Sequence, residues 1–454
     1  MSESQARLVH GPVWLAVFRL AGPMILAIIA VLAVSLVDAY FVGKLGTEEL
    51  AAISFAFPVS LSITSLSIGL GAGTSSVVSR YLGASDRKQA VRASTDSLSL
   101  SLVLILTIST IGYIYTEELF SLLGAKGITL QNVTDYMRIW FISMPLLVIP
   151  MVASSILRAN GDALWPTLIM VASSVVNVIA TPALIFGYGP FPELAIEGAA
   201  YGTLIAHVAS LLIAIYVAVF REKIVCFEWR GIACMIKSWK EIIRIGVPAA
   251  LGNMVNPVGI TFVTALVAGL GAVVVAGFGV ATRVESFSVI PMLALSASIG
   301  PVAGQNWGAG RIDRSFGALS LCYGISVVWS VVIAGIFWIA GEPIASVFAS
   351  EPAVAKEASL YLTWVPLTLF GYGITICAAA ALNSIGKPYT GLLYYFVRTA
   401  ALYVPLAWLA SMLFGSRAVF QAIAISNAVA GVIIFFATKR FFSEAIVEQQ
   451  QKLR

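Results

Sequence analysis

The sequence predicts an all-α integral membrane protein with twelve transmembrane helices. Hydrophobic residues make up 59% of the 454 residues, charged residues make up only 11%, and long apolar stretches recur along the whole chain. Soluble globular chains carry about 25% charged residues, so a soluble enzyme, a nucleic-acid-binding protein and a disordered scaffold are excluded. The two histidines and four cysteines form neither a disulfide framework nor a zinc-binding pattern, and no metal or other cofactor is expected.

A helix crosses the roughly 30 Å hydrocarbon core of a bilayer with about 20 mostly apolar residues. Twelve such stretches follow one another, numbered here as spans 1 to 12. In chain order they cover residues 14–37, 50–78, 93–116, 134–157, 165–187, 195–220, 242–269, 273–301, 316–340, 357–382, 389–413 and 418–438. The first thirteen residues are polar and no small-residue cleavage site follows, so span 1 is predicted to be a retained helix.

Basic residues lie mostly on one side of the predicted spans. Twenty of the 27 lysines and arginines fall in the N-terminal segment, in alternate loops and in the C-terminal tail, and four fall in the opposite loops. The other three, Arg138, Arg283 and Arg398, lie inside spans. By the positive-inside rule, both termini are cytoplasmic. The expected location is the plasma (inner) membrane, crossed many times.

The two halves of the chain match each other at a constant shift of 225 residues. The matched pairs include Arg19 with Arg244, Pro23 with Pro248, Gly83 with Gly308, and Tyr136 with Tyr361. Six spans per half give both halves the same orientation, related by a pseudo-two-fold axis along the membrane normal. The predicted domains are a cytoplasmic N-terminus 1–13, an N-terminal six-helix lobe 14–220, a cytoplasmic linker 221–241, a C-terminal six-helix lobe 242–438 and a cytoplasmic tail 439–454.

Duplicated halves are how many transporters alternate access to a central site. The sequence has no GxxxxGK[ST] motif for ATP and no catalytic constellation of serine, cysteine or metal ligands. We therefore expect a transporter, not an enzyme, driven by an ion gradient. A passive membrane scaffold is the alternative, but it does not account for the duplicated bundle.

Asp38 is the acid whose position most needs an explanation. It lies in the outer part of span 1, about four helical turns after Pro23. A charged side chain at mid-membrane costs roughly 3 kcal/mol on insertion scales and usually faces a cavity. Burial disfavours the carboxylate, so its protonation can switch with conformation. The alternative is that Asp38 lies near the outer surface and is simply solvated. Pro23 removes a backbone donor within the span and is predicted to bend it.

Further polar side chains inside the spans are candidates for the same chemistry. Asn177 and Thr181 share one face of span 5, and Thr203 and His207 share one face of span 6; ordinary hydrogen bonds between helices are an equally open interpretation. Glu285 is a secondary acid candidate, with an ion pair to Arg283 as the alternative. The candidates for a substrate cavity are Tyr40, Asn253, Asn256, Tyr372, Tyr394 and Arg398.

Several motifs taken together resemble those of multidrug and toxic compound extrusion (MATE) transporters. The motifs are Leu36 through Glu48, Leu157 through Asp162, Asn177 through Pro182, Glu197 through Thr203, Arg283 through Phe287 and Gly300 through Gly310. The resemblance covers essentially the whole chain. An aspartate in span 1 is typical of the prokaryotic DinF-like branch of that family.

The resemblance implies export of amphipathic, mostly cationic organic compounds such as drugs and toxins, in exchange for protons, by alternating access. It implies that Asp38 is the protonation and coupling site, that Pro23 is the bending proline, and that Asn177 and Thr203 are neighbours of the aspartate. The family often has an aspartate where this chain has Thr181, which weakens a sodium site. A sodium-coupled exporter or a flippase for a lipid-linked precursor is the alternative, and a monomer without nucleic-acid partners is expected.

Other branches of the family carry an acid on span 7. Asn253 and Asn256 are the only comparable polar residues of this chain in that span. The resemblance therefore favours a single coupling site, in the N-terminal lobe.

Overall fold

A computed structural model describes residues 6–226, 231–349, 351–413 and 415–453. The described residues form sixteen α-helices, numbered in chain order, with two π-helical turns and one 3-10 turn between them. The α-helices are α1 Val13–Gly43, α2 Thr47–Gly83, α3 Arg87–Ile114, α4 Thr116–Leu122, α5 Gly127–Ala159, α6 Leu164–Phe186, α7 Ala195–Ile215, α8 Ile232–Ala268, α9 Ala272–Ser288, α10 Ile290–Gly308, α11 Ile312–Phe348, α12 Pro352–Trp364, α13 Leu369–Ser384, α14 Pro388–Phe396, α15 Val404–Leu413 and α16 Gly415–Leu453. The π turns are Tyr216–Arg221 and Val397–Tyr403, and the 3-10 turn is Pro366–Thr368.

Within these ranges, eleven helical runs are long and apolar enough to cross a bilayer, and the bent pair α9–α10 makes a twelfth. The predicted fold class, an all-α membrane protein with twelve spans, is therefore confirmed. Several helices extend beyond the predicted spans. Helix α16 continues through the predicted tail to Leu453, because no proline or glycine follows Gly431 and an Arg440–Glu444 pair supports the helix at i, i+4.

The predicted linker 221–241 is partly helical. The π turn ends at Arg221 and α8 already begins at Ile232, ten residues before the predicted start of span 7. Residues 227–230 of this linker, and the last residue of the predicted tail, lie outside the described residues. The boundaries of the predicted lobes stay a prediction.

Span 8, predicted as one continuous helix, is broken. Helices α9 and α10 meet at Val289 with a bend of 45°. Pro291 lies in the first turn of α10, where its missing N–H and its ring do not allow the preceding helix to continue straight. The matched position in the other half is Leu66, and α2 runs there without interruption.

The helix bounds repeat at the shift found in the sequence. Helix α2, Thr47–Gly83, corresponds to α9 and α10, which together cover Ala272–Gly308. Helix α5, Gly127–Ala159, corresponds to the run from α12 to α13, Pro352–Ser384, and these two are the most buried of the eleven long helical runs. The internal repeat is therefore a repeat of structure as well as of sequence.

The contacts divide the chain into two compact units. Unit 1 comprises Met1–Ala21, Ser79–Ser85 and Pro248–Arg454, and unit 2 comprises Gly22–Val78 and Asp86–Val247. Helix α1 therefore passes from unit 1 to unit 2 next to Pro23, and α8 passes from unit 2 to unit 1 at Pro248. Proline breaks the hydrogen-bond ladder of a helix and allows bending there.

In unit 1, the residues before α1 are packed against the end of α10. Leu8 is 1% exposed, and its N–H donates to Oε1 of Gln305 at 3.0 Å. Its carbonyl accepts from Nδ2 of Asn306 at 3.1 Å, and the Val9 carbonyl accepts from Arg311 at 3.0 Å. Part of the predicted polar N-terminus 1–13 is therefore a packed segment of unit 1.

Two repeat-related glycines of unit 1 make reciprocal close contacts. A Cβ at Gly83 would lie 2.0 Å from the carbonyl oxygen of Gln305, and a Cβ at Gly308 would lie 2.2 Å from that of Arg80. Gly83 and Gly308 are repeat mates, and so are Arg80 and Gln305. Only glycine permits this close approach of the two backbones.

Candidate functional site

Helices α6 and α7 of unit 2 form the closely packed base of the candidate site. Helix α7 buries a small residue every four positions, namely Gly198, Gly202, Ala206, Ser210 and Ala214. Such a stripe lets two membrane helices approach closely. A Cβ at Gly202 would lie 2.5 Å from Oγ1 of Thr181, and a Cβ at Gly198 would lie 2.5 Å from the Leu184 carbonyl oxygen.

This packing places the predicted polar residues of α6 and α7 side by side. Nδ2 of Asn177 donates to Oγ1 of Thr203 at 3.3 Å, and that hydroxyl donates to the Ala199 carbonyl at 3.0 Å. Asn177 is 4% exposed and Thr181 is fully buried one turn further along α6. Both residues therefore direct polar atoms into the protein and not toward lipid.

Asp38 of α1 completes the group. Its carboxyl is half-buried and lies against the Thr181 hydroxyl. Among the described residues, three oxygen atoms of this group are buried and have no protein hydrogen-bond partner, namely Oδ1 of Asp38, Oδ1 of Asn177 and Oγ1 of Thr181. Buried polar atoms are normally paired, and those that are not call for an explanation such as a functional role. The structure thus brings together four residues predicted for one site: Asp38, Asn177, Thr181 and Thr203.

Apolar side chains pack next to this group, toward the C-terminal end of α1. Val42, Ile185 and Ala199 form a buried cluster, and Phe41 packs on Phe186 with ring centroids 6.0 Å apart. Such a cover excludes water and strengthens electrostatic interactions beneath it. The alternative of a fully solvated Asp38 at the surface does not fit this half-buried position.

Tyr136 of α5 also lies next to this group, although no motif in the sequence marked it as a candidate. It packs against the same apolar cluster, and its hydroxyl lies within the electrostatic field of the Asp38 carboxyl. The repeat marks this position, because the repeat mate of Tyr136 is Tyr361, which also faces an acid. The sequence contained the pair of matched tyrosines, but not their proximity to the two acids.

Two other predicted residues lie at the edge of this site. Tyr40 is 59% exposed, and the Lys44 ammonium lies 4.5 Å from the centroid of its ring. His207 lies one turn beyond Thr203, against the Ser143 backbone, and its Nδ1 is buried without a partner. Neither makes a hydrogen bond to the Asp38 group among the described residues.

Unit 1 contains a second polar group, centred on Arg398. This side chain is 5% exposed and lies on the π turn Val397–Tyr403. Its Nη1 donates to Oδ1 of Asn256 at 2.8 Å, and its Nε donates to Oδ1 of Asn427 at 3.1 Å. The rings of Tyr372 and Tyr403 face the guanidinium at 4.7 and 5.8 Å. A π turn often marks a functional position in a helix.

Glu285 belongs to this second group. Its carboxylate accepts a short hydrogen bond from the Tyr361 hydroxyl and lies within the field of Arg398. Arg283, the neighbour considered for an ion pair, is exposed, because residues two apart do not share a helix face. The ion pair between Glu285 and Arg283 that the sequence suggested is therefore wrong, and Tyr361 is the hydrogen-bond partner of Glu285.

Two further cavity candidates of unit 1, Asn253 and Tyr394, make hydrogen bonds to groups other than Arg398. Nδ2 of Asn253 donates to the Ala249 carbonyl of its own helix at 2.9 Å. The Tyr394 hydroxyl accepts from Oγ1 of Thr438 at 3.4 Å. Of the six residues predicted for a substrate cavity, the structure thus brings Asn256, Tyr372 and Arg398 together.

Comparisons with known proteins agree with this fold. The family model MatE matches residues 23–183 and again residues 248–409, so its two matches begin at Pro23 and Pro248. A protein of Shewanella oneidensis called "FAD transporter" is 36% identical over 95% of this chain and 96% of its own length. The "Multidrug export protein MepA" of Staphylococcus haemolyticus is 27% identical over 93% of this chain and 92% of its own.

A solved structure extends the agreement to three dimensions. The crystal structure of a mutant of the Vibrio cholerae MATE transporter VcmN superposes with a TM-score of 0.91. The two sequences are 27% identical, and the match covers 98% of this chain and 99% of that one.

Proposed function

Because the chain belongs to the MatE family of multidrug and toxic compound extrusion transporters, we propose that it is a proton-coupled secondary antiporter. In this proposal it exports amphipathic, mostly cationic organic compounds, and protons enter in exchange. The resemblance noted in the sequence is confirmed by the family match and by the superposition. The coupling ion, the charge of the cargo and the site residues are our proposal.

The observation that carries the proposal is the Asp38 group of unit 2. One carboxyl group lies against the Thr181 hydroxyl, one turn from the Asn177 amide on the same helix, and all three side chains have a buried oxygen without a protein partner of good geometry among the described residues. A proton on Asp38 would supply one donor to such a group. Placing an acid inside a membrane span costs free energy, and such acids usually mark proton or substrate pathways.

A proton fits this group better than a sodium ion does. Hard cations take several oxygen ligands, and their positive charge is best balanced by carboxylates. In this group Asp38 supplies the only carboxylate, and Thr181 stands where relatives often hold a second acid. A proton needs only one acid whose affinity for it differs between a wet and a dry state of the site. Sodium coupling is the alternative that the experiment below tests.

We place both termini on the cytoplasmic side of the plasma (inner) membrane. The support is the bias of lysine and arginine toward one set of loops, which the positive-inside rule assigns to the cytoplasm. Export then moves cargo from the basic side to the opposite side. We propose that the transporting unit is a monomer.

Export of a flavin nucleotide is a second candidate function. The observation that favours it is the 36% identity to the Shewanella protein called "FAD transporter". FAD carries phosphates, so its recognition would need a positive group in addition to aromatic contacts. Efflux of FAD from loaded proteoliposomes, followed by flavin fluorescence, tests this candidate directly.

The proposed coupling is tested with purified protein in liposomes loaded with a cationic dye. An imposed pH gradient without sodium should drive dye efflux, and one pH unit corresponds to about 1.4 kcal/mol, or a tenfold dye gradient. Exchange of one proton for one monovalent cation moves no net charge, so a membrane potential alone should have little effect. Efflux that follows only a sodium gradient at equal pH would contradict the proposal.

A further inference from the structure

The buried arginine of unit 1 has no role in the exchange proposed for the Asp38 group. Arg398 is 5% exposed within a membrane-spanning helix. Taking a charge out of water costs several kcal/mol unless excellent partners compensate for it. In the described part of the chain its hydrogen-bond partners are two neutral amides, on Asn256 and Asn427.

Among the described residues, the nearby carboxylate of Glu285 does not form a direct ion pair with this arginine. Glu285 is held by the Tyr361 hydroxyl and acts on Arg398 only through its field. Arginine and carboxylate groups that serve as a structural pair usually meet in a two-pronged contact. A guanidinium has five N–H donors, and two of its nitrogens, Nε and Nη1, donate to the amides. Donor capacity therefore remains for a further acceptor.

The surroundings of Arg398 favour an aromatic ligand. The rings of Tyr372 and Tyr403 face the guanidinium. A planar guanidinium flanked by aromatic rings binds carboxylates and phosphates with a defined geometry, and rings stack on it. The π turn widens the helix at this point, so the arginine is presented by a locally irregular backbone.

We propose that Arg398 binds the anionic group of aromatic compounds that the protein transports, and that Tyr372 contacts their ring. The ligand class is an aromatic ring system that bears a carboxylate or phosphate. Glu285 is the resident carboxylate that balances the arginine while the site is empty. This proposal rests on the proposed transport function and adds an anionic class of cargo, recognised in unit 1, to the cationic class.

Equilibrium binding tests the proposal without transport. The protein is placed in nanodiscs of phosphatidylcholine, and the anisotropy of two fluorescent probes is measured. Pyrene butyrate is anionic and pyrenylmethylammonium is cationic, and both carry the same ring. Arg398→Gln should weaken binding of pyrene butyrate about ten- to hundredfold, the loss expected for a hydrogen bond to a charged group, and should leave the cationic probe unaffected.

Arg283→Gln is the matched control, because this arginine is exposed on α9 of the same unit. It should leave the binding of both probes unchanged. Equal weakening of both probes by Arg398→Gln would show a purely structural role and overturn the proposal. Unchanged binding of pyrene butyrate by a folded Arg398→Gln variant would also overturn it.

Glu285→Gln keeps the proposal testable if Arg398→Gln does not fold. Removing the resident carboxylate leaves Arg398 without its counter-charge, so the affinity for pyrene butyrate should rise. Unchanged or lower affinity would contradict the proposal. Phosphatidylglycerol added to the nanodiscs tests whether Arg398 binds a lipid headgroup and not a transported compound. Displacement of the probe by this lipid would assign the arginine to a lipid headgroup and overturn the proposal.

The proposed proton coupling and the proposed anion site at Arg398 can be refuted independently of each other. Binding of pyrene butyrate requires no proton gradient, so its dependence on Arg398 stands even if the protein proves to be coupled to sodium. If pyrene butyrate binding does not depend on Arg398 while a pH gradient still drives efflux of a cationic dye, only the anion site is contradicted.

Discussion

Substitution of Gly202 by alanine tests whether the close packing of α6 and α7 maintains the site. The new Cβ would lie 2.5 Å from Oγ1 of Thr181 and 2.7 Å from its Cα. The Cα belongs to the backbone and cannot rotate away, so the helices must separate by about 0.7 Å to reach ordinary contact. Overpacking of this kind costs about 1–3 kcal/mol.

The displaced residue is Thr181, which lies against Asp38, so we expect two losses. The melting temperature should fall by a few degrees, and pH-driven efflux should fall about tenfold or more, because displacements near 1 Å at reacting groups are that costly. Size-exclusion chromatography after heating and dye efflux from liposomes measure the two losses.

The matched control is Gly279→Ala. Gly279 lies in helix α9, and a Cβ there meets nothing within 4 Å. Alanine favours a helix over glycine by about 1 kcal/mol, so this variant should be unchanged or slightly more stable. Wild-type stability and efflux in Gly202→Ala would refute the packing argument.

Three further predictions concern topology, backbone packing and conformational change. In a background without the natural cysteines, Glu48→Cys and Lys237→Cys should be labelled from opposite faces of the membrane, and labelling from one face would overturn the predicted orientation. Gly308→Ala would place a Cβ 2.2 Å from a backbone oxygen and should lower the melting temperature, as overpacking costs about 1–3 kcal/mol; an unchanged melting temperature would contradict the contact. Pro23→Ala restores a backbone donor at the point where α1 passes between the two units, and should slow efflux with little effect on folding; full efflux would argue against a bend there.

Much of the fold was predictable because a bilayer imposes simple rules on sequence. Apolar length predicted the spans, and the shift that relates Pro23 to Pro248 predicted the repeat of helices. Helix ends were less predictable, since charged helices such as α16 continue beyond the bilayer. The helix break at Val289 is explained by Pro291, but a hydropathy profile alone does not reveal such a break.

The candidate site was predictable where its residues share a helix face. Asn177 and Thr181 are four apart, and the structure places both against the group that contains Asp38. Partners from distant segments were not predictable: Glu285 is bound by Tyr361, and no local pattern indicates that contact. The stripe that includes Gly202 was readable as a small-xxx-small pattern, and it would have predicted the close helix pair.

The central claim is that Asp38 couples proton entry to export, and Asp38→Asn tests it most directly. Asparagine keeps the size and polarity of the side chain and removes the acid that can exchange a proton. The measurement is dye efflux from proteoliposomes under a pH gradient without sodium, with Asp135→Asn as a control acid from α5. We predict that the Asp38 variant inserts and folds but loses pH-driven efflux, while the Asp135 variant keeps it. Undiminished pH-driven efflux by Asp38→Asn would contradict the account.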